Sequence, residues 1–102
     1  MINRIVMVSS PTPERVDKVL DAFEQLRDKV PGLLRIETAV DHGGRSLGYD
    51  RMFVLTFQNA ESIEVWKHQP AHIPIREELA ACGELLVFEY GTEGSRAPAA
   101  AV

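Results

Sequence analysis

Cysteine is nearly absent. Cys82 stands alone among 102 residues, so no intrachain disulfide can form, and a reducing compartment fits. Basic residues are in deficit, 11 Lys and Arg against 15 Asp and Glu, for a formal net charge of -4. Nucleic acid and anionic membranes both require a basic face, so neither is the expected partner. Long apolar runs are missing too: ahead of the tail none exceeds four residues, as in Leu85-Leu86-Val87-Phe88, far short of a bilayer span. No apolar segment follows Met1 in the manner of a secretory signal, which makes the cytoplasm the expected location. Gly43-Gly44 fits neither GxGxxG nor GxxxxGK[ST], so no phosphate-binding loop and no cofactor are expected. His68 and His72 are four apart, a spacing that suits a metal on one helix. Pro70 lies between them and no third ligand stands at a matching distance, so no metal site is expected either.

What remains is the composition of a globular domain, with 45% hydrophobic and 25% charged residues. Residues 1–90 read as one domain. Residues 91–102, with two Gly, one Pro and four Ala, read as a disordered tail.

Ile2 to Val8 is the first strand, ended by Ser9-Ser10-Pro11. Thr12 as N-cap and Pro13 at the first helical position open a helix. Its buried face is Val16, Val19, Leu20, Phe23, Leu26 and Val30, and Pro31-Gly32 stops it. Leu34, Ile36, Thr38 and Val40 alternate with Arg35, Glu37, Ala39 and Asp41 in a half-buried strand. A turn at 42–46 leads to a third strand, Tyr49 to Phe57. Asn59 caps a helix carrying Ile63, Val65 and Trp66, Pro70 interrupts it, and a further helical stretch through Ile75 and Leu79 ends at Gly83. Glu84 to Tyr90 is the last strand.

The order β-α-β-β-α-β with right-handed crossovers predicts an α+β, ferredoxin-like fold. Its four-stranded sheet is expected to be antiparallel in type but mixed, with strands one and three adjacent and parallel and both helices on one face. Ile5, Met7, Met52, Val54, Leu86 and Phe88 then lie on the bare face. An apolar sheet face of that extent calls for a partner, and a two-fold pairing of such faces predicts a homodimer.

Arg4 shares strand parity with Val6 and Val8, and Arg51 with Phe53 and Leu55, so both arginines are expected to face the helices. With strands one and three parallel, they would start at the same end of the sheet, near Trp66 and His72. That predicts a pocket of two cations, an indole and an imidazole over Phe23 and Phe53, suited to an anionic, partly apolar small molecule. Against this, Glu89 is placed to pair with Arg4, and Trp66 suits a core position. His72 can serve as a general base or as a hydrogen-bonded core residue beside a proline turn.

The opening strand Ile2–Val8, Pro31-Gly32 after the first helix, Gly48-Tyr49-Asp50 and Gln69-Pro70-Ala71-His72 together resemble the stress-responsive A/B barrel (Dabb) family over residues 1–90. The resemblance implies a dimeric α/β barrel made when two ferredoxin-like sheets join. It also implies a role for His72, which matches the histidine that a plant polyketide cyclase of the family uses as a base. That enzyme's tyrosine, six residues earlier, is Trp66 here, and two further pocket histidines fall at Arg4 and Arg51. An indole donates one hydrogen bond and cannot exchange a proton as a phenol can. The expectation is a homodimer of undefined activity that binds a small molecule. The alternatives are a cofactor-free cyclase, lyase or isomerase using His72, and a monooxygenase of the dimeric barrel type.

Overall fold

The computed structural model describes residues 1–91. The expected tail lies outside them, except for Gly91, which closes the last strand. The elements are β1 (Ile2–Ser9), α1 (Pro13–Glu24), β2 (Leu33–Val40), β3 (Arg51–Phe57), α2 (Ala60–Lys67), α3 (Ile73–Cys82) and β4 (Glu84–Gly91). Among the described residues no helix is long and apolar enough to cross a membrane.

The four strands form one sheet in the order β2-β3-β1-β4, and every neighbouring pair is antiparallel. This is the ferredoxin-like α+β arrangement, with one correction to the expectation. β1 and β3 run antiparallel, so the sheet is not mixed. The crossover through α1 makes β1 and β2 parallel without making them neighbours. The hairpin from β2 then returns β3 in the opposite direction, into the gap between them.

Helix α1 opens at Thr12-Pro13 as its sequence dictates, with Val16, Val19, Leu20 and Phe23 buried. It ends at Glu24, six residues before Val30. Leu26 and Val30 are nonetheless buried, carried by successive turns through an Asp28 in the left-handed region (φ 64°). Gly32 (φ +79°) completes the turn into β2. A side chain there would run into Ser62, so α2 packs directly on the glycine backbone. Asn59 caps α2 by accepting from Ser62 N–H at 3.0 Å. Gly83 is extended (φ -165°) rather than left-handed. It is required because a Cβ would lie 2.8 Å from the Ser9 carbonyl oxygen.

The helices cover one face of the sheet, and Phe23, Ile36, Leu55 and Phe57 are at the centre of that core. In β2 a register shift between Leu33 and Arg35 puts Leu33 and Ile36 inside and leaves Leu34 55% exposed, against the simple alternation. On the opposite face the cross-strand sets Val54–Ile5–Phe88 and Met52–Met7–Leu86 form an apolar strip, with Leu86 51% and Phe88 65% exposed.

Candidate functional site

A cleft of about 170 Å³ opens between the helices and the β1–β4 side of the sheet. Its floor is Val6, Phe53 and Leu55, all buried core residues. Phe23 and Trp66 form its wall, with Phe23 stacked on Phe53 at 4.4 Å between ring centroids. No helix covers β4 here, so Leu85 and Val87 edge the opening and remain partly exposed. Three cations stand around it: Arg4 from β1, Lys67 at the end of α2 and Arg76 from α3.

His72 is the polar centre of this cleft. Pro70 prevents α2 and α3 from being continuous, and the connecting turn delivers His72 to the head of α3. The imidazole is 4% exposed and stacks on Trp66 at 3.8 Å with 25° between the planes. Its Nδ1 lies 3.0 Å from the Trp66 carbonyl oxygen. A carbonyl only accepts, so in this pair Nδ1 carries the proton and donates it. Burial pushes His72 down from its ordinary 6.5 to about 4, with Arg76 and Arg4 adding to the effect and the Trp66 carbonyl opposing it. The imidazole is therefore neutral at pH 7.

This has a consequence for stability. The folded pKa of His72 is depressed, so between about pH 6.5 and pH 4 the unfolded chain binds a proton that the native chain refuses. The contribution is intact above pH 6.5 and lost as pH falls toward 4, costing at most about 3 kcal/mol. Urea unfolding at several pH values should show a shallower acid loss in His72→Gln than in the unaltered protein. Equal slopes would refute the assignment.

The sequence places Arg4, Phe23, Phe53, Trp66 and His72 together, and the structure does likewise. Arg4 also makes the pair anticipated for it, donating to Glu89 at 3.0 Å. Arg51 is the correction. Because β1 and β3 are antiparallel, Arg51 lies opposite Val8 while Arg4 lies opposite Leu55, at the other end of the strand pair. Arg51 binds Asp17 of α1 at 2.6 Å and Asp50 at 3.2 Å, tying α1 to β3, and its guanidinium pKa is raised chiefly by the hydrogen bond to Asp17. It does not line the cleft. Lys67 and Arg76 were not among the sequence-predicted residues. The available signal was spacing, since Arg76 is four residues after His72 on one helix and shares its face.

Among the described residues no three His, Cys, Asp or Glu side chains gather as a metal site. His68 closes α2 and His72 opens α3, so the pair does not sit on one helix.

The model of the Stress responsive A/B Barrel Domain (Dabb) family matches residues 2–91. The chain belongs to this family. Solved structures with the same fold include a dimeric ferredoxin-like protein of unknown function from Jannaschia sp. CCS1, with TM-score 0.81 and 18% identity over 89% of this chain and 98% of that one. A second dimeric ferredoxin-like protein of unknown function, from Thermobifida fusca YX, gives 0.76 and 19% over 88% and 89%. The hydroxynitrile lyase from Passiflora edulis gives 0.76 and 18% over 87% and 90%. No curated protein matches the chain in sequence. At these identities the likeness establishes the fold that Dabb proteins share and leaves chemistry to the residues.

Proposed function

We propose that this Dabb chain works as a homodimer, joined across the open sheet face, that binds a small anionic, partly apolar molecule in the cleft over His72. The observation that carries the ligand is the contrast within the cleft. Its floor and wall are apolar and aromatic, while its rim holds Arg4, Lys67 and Arg76. An apolar body gains from leaving water against such a floor, and an acid group gains from a guanidinium at its mouth. The dimer is supported by the uncovered apolar strip and by the two dimeric proteins of like fold.

Benzoate at millimolar concentration is expected to raise the melting temperature by mass action, and neutral benzyl alcohol to raise it less. Arg76→Gln should weaken benzoate binding about tenfold, the value of roughly one charge-assisted hydrogen bond. No shift with any small carboxylate would sink the ligand assignment.

A second reading is a cofactor-free lyase, cyclase or isomerase. It is favoured by the tautomer of His72, whose Nδ1–H is engaged and whose other nitrogen keeps its lone pair. Against it stands the low basicity of His72: a proton taken up would sit buried beside two arginines. A bound anion would offset that charge, so binding comes first in either case.

A further inference from the structure

The hydrogen bonding of His72 constrains the ligand beyond its charge. With Nδ1–H committed to the Trp66 carbonyl, Nε2 of the neutral ring is an acceptor and nothing else. It makes no hydrogen bond among the described residues, yet no buried side-chain nitrogen or oxygen there lacks a partner. Nε2 is therefore open to the cleft that His72 lines. The stack on Trp66 fixes the ring plane, so the direction of this acceptor is set before any ligand arrives.

The cations are not equivalent. Arg4 is paired with Glu89 and Lys67 with Glu64, at 3.0 and 3.2 Å. Arg76 has no carboxylate partner among the described residues, and its Nη1 donates only to the Lys67 carbonyl at 3.3 Å. It stands one turn beyond His72, its own N–H bonded to the His72 carbonyl at 2.9 Å. An anion-gripping guanidinium and an unfilled acceptor thus rise from the same turn of α3, beside an aromatic wall. The cleft's size fits a single ring, since a cavity of about 150 Å³ accommodates benzene.

We infer that the cleft selects a monocyclic hydroxy acid, whose carboxylate is held by Arg76 and whose hydroxyl donates to Nε2 of His72. This rests on the anion-binding assignment above and adds the requirement for a donor. A ligand lacking the hydroxyl would leave the acceptor unfilled at a desolvated position, which is a strong basis for discrimination.

Calorimetric titration at pH 7 with 2-, 3- and 4-hydroxybenzoate, benzoate and phenol tests it. The best hydroxybenzoate isomer should bind at least about tenfold tighter than benzoate or phenol. His72→Phe should abolish the preference for the hydroxybenzoates over benzoate, since the acceptor that a ligand without the hydroxyl leaves unfilled is then gone. Arg76→Gln should weaken all the carboxylates together and preserve the preference among them. If His72→Phe does not fold, nitrogen NMR of the unaltered protein replaces it: the best hydroxybenzoate should shift the Nε2 resonance and benzoate should not. Benzoate binding as tightly as every hydroxybenzoate, a preference that survives in His72→Phe, or an Nε2 resonance indifferent to the hydroxyl overturns the donor requirement while leaving anion binding intact. No binding by any carboxylate overturns both.

Discussion

Phe88→Glu is expected to leave the chain monomeric at micromolar concentration, where the unaltered protein is expected to sediment as a dimer. Phe88 is 65% exposed on β4, opposite Ile5 and beside Leu86, on the sheet face that no helix covers. Its ring lies 6.0 Å from that of Tyr90, so the strip is aromatic at one end and aliphatic at the other. Burying one such side chain contributes about 1.5–3 kcal/mol, and a two-fold interface buries two copies. Glutamate forfeits both and places two carboxylates where water is excluded. Dissociation should therefore become easier by roughly two to four orders of magnitude. Val65→Glu, at a 44% exposed position on α2, is the control and should leave the dimer intact. An unaltered protein that sediments as a monomer, or a Phe88→Glu variant that stays dimeric, would remove the sheet-to-sheet interface from consideration.

The second large effect is expected from Trp66→Ala. Trp66 is 2% exposed and meets Phe57 edge-on at 5.9 Å, Phe23 at 6.0 Å and His72 face-on at 3.8 Å. Removing the indole empties the centre of the helix–sheet layer, which costs about 3–5 kcal/mol. For a domain of this size the melting temperature should fall by roughly 15–30 °C, read at fixed protein concentration because the melting temperature of the proposed dimer would depend on it. The same substitution keeps the backbone carbonyl that holds His72 but strips away the stacked ring. Water then reaches the imidazole, and its pKa should move back up from about 4 toward the ordinary value. Trp66→Phe should keep most of the stability. A loss below about 1 kcal/mol in Trp66→Ala would mean that the wall of the cleft can collapse without cost, which is not how close-packed cores behave.

Much of this architecture was legible from periodicity. A helix with its apolar residues three and four apart has one inward face, and a strand has two faces that alternate. Those local facts sufficed to set Phe23, Phe53 and Trp66 in the core, to turn Arg4 inward, and to leave Ile5, Met52 and Phe88 on a face without helices. They also placed His72 beside a proline break, at the end of one helix and the start of the next. Where the chain departs from ideal geometry, periodicity misled. The bulge at Leu33–Arg35 turned Leu34 outward, and α1 gave way to turns before Leu26 and Val30 could extend it as helix.

The pocket's cations show the division most clearly. Strand parity assigned Arg4 and Arg51 to the same face, and both are on it. Which end of that face each occupies depends on the direction of β3 relative to β1, set by a crossover and a hairpin that together span some forty residues. Antiparallel pairing sent Arg51 to Asp17 and brought Lys67 and Arg76 to the cleft in its place. The hydrogen bond that makes His72 an acceptor toward the cleft likewise depends on how the chain turns between α2 and α3, so that the ring meets the Trp66 carbonyl. The sequence by itself determined which residues are apolar, which face each presents and the order of the elements, because these follow from bond geometry over a few residues. Only the tertiary structure decided which charges share a pocket and which nitrogen of His72 faces it, because those are distances between parts of the chain that no local rule connects.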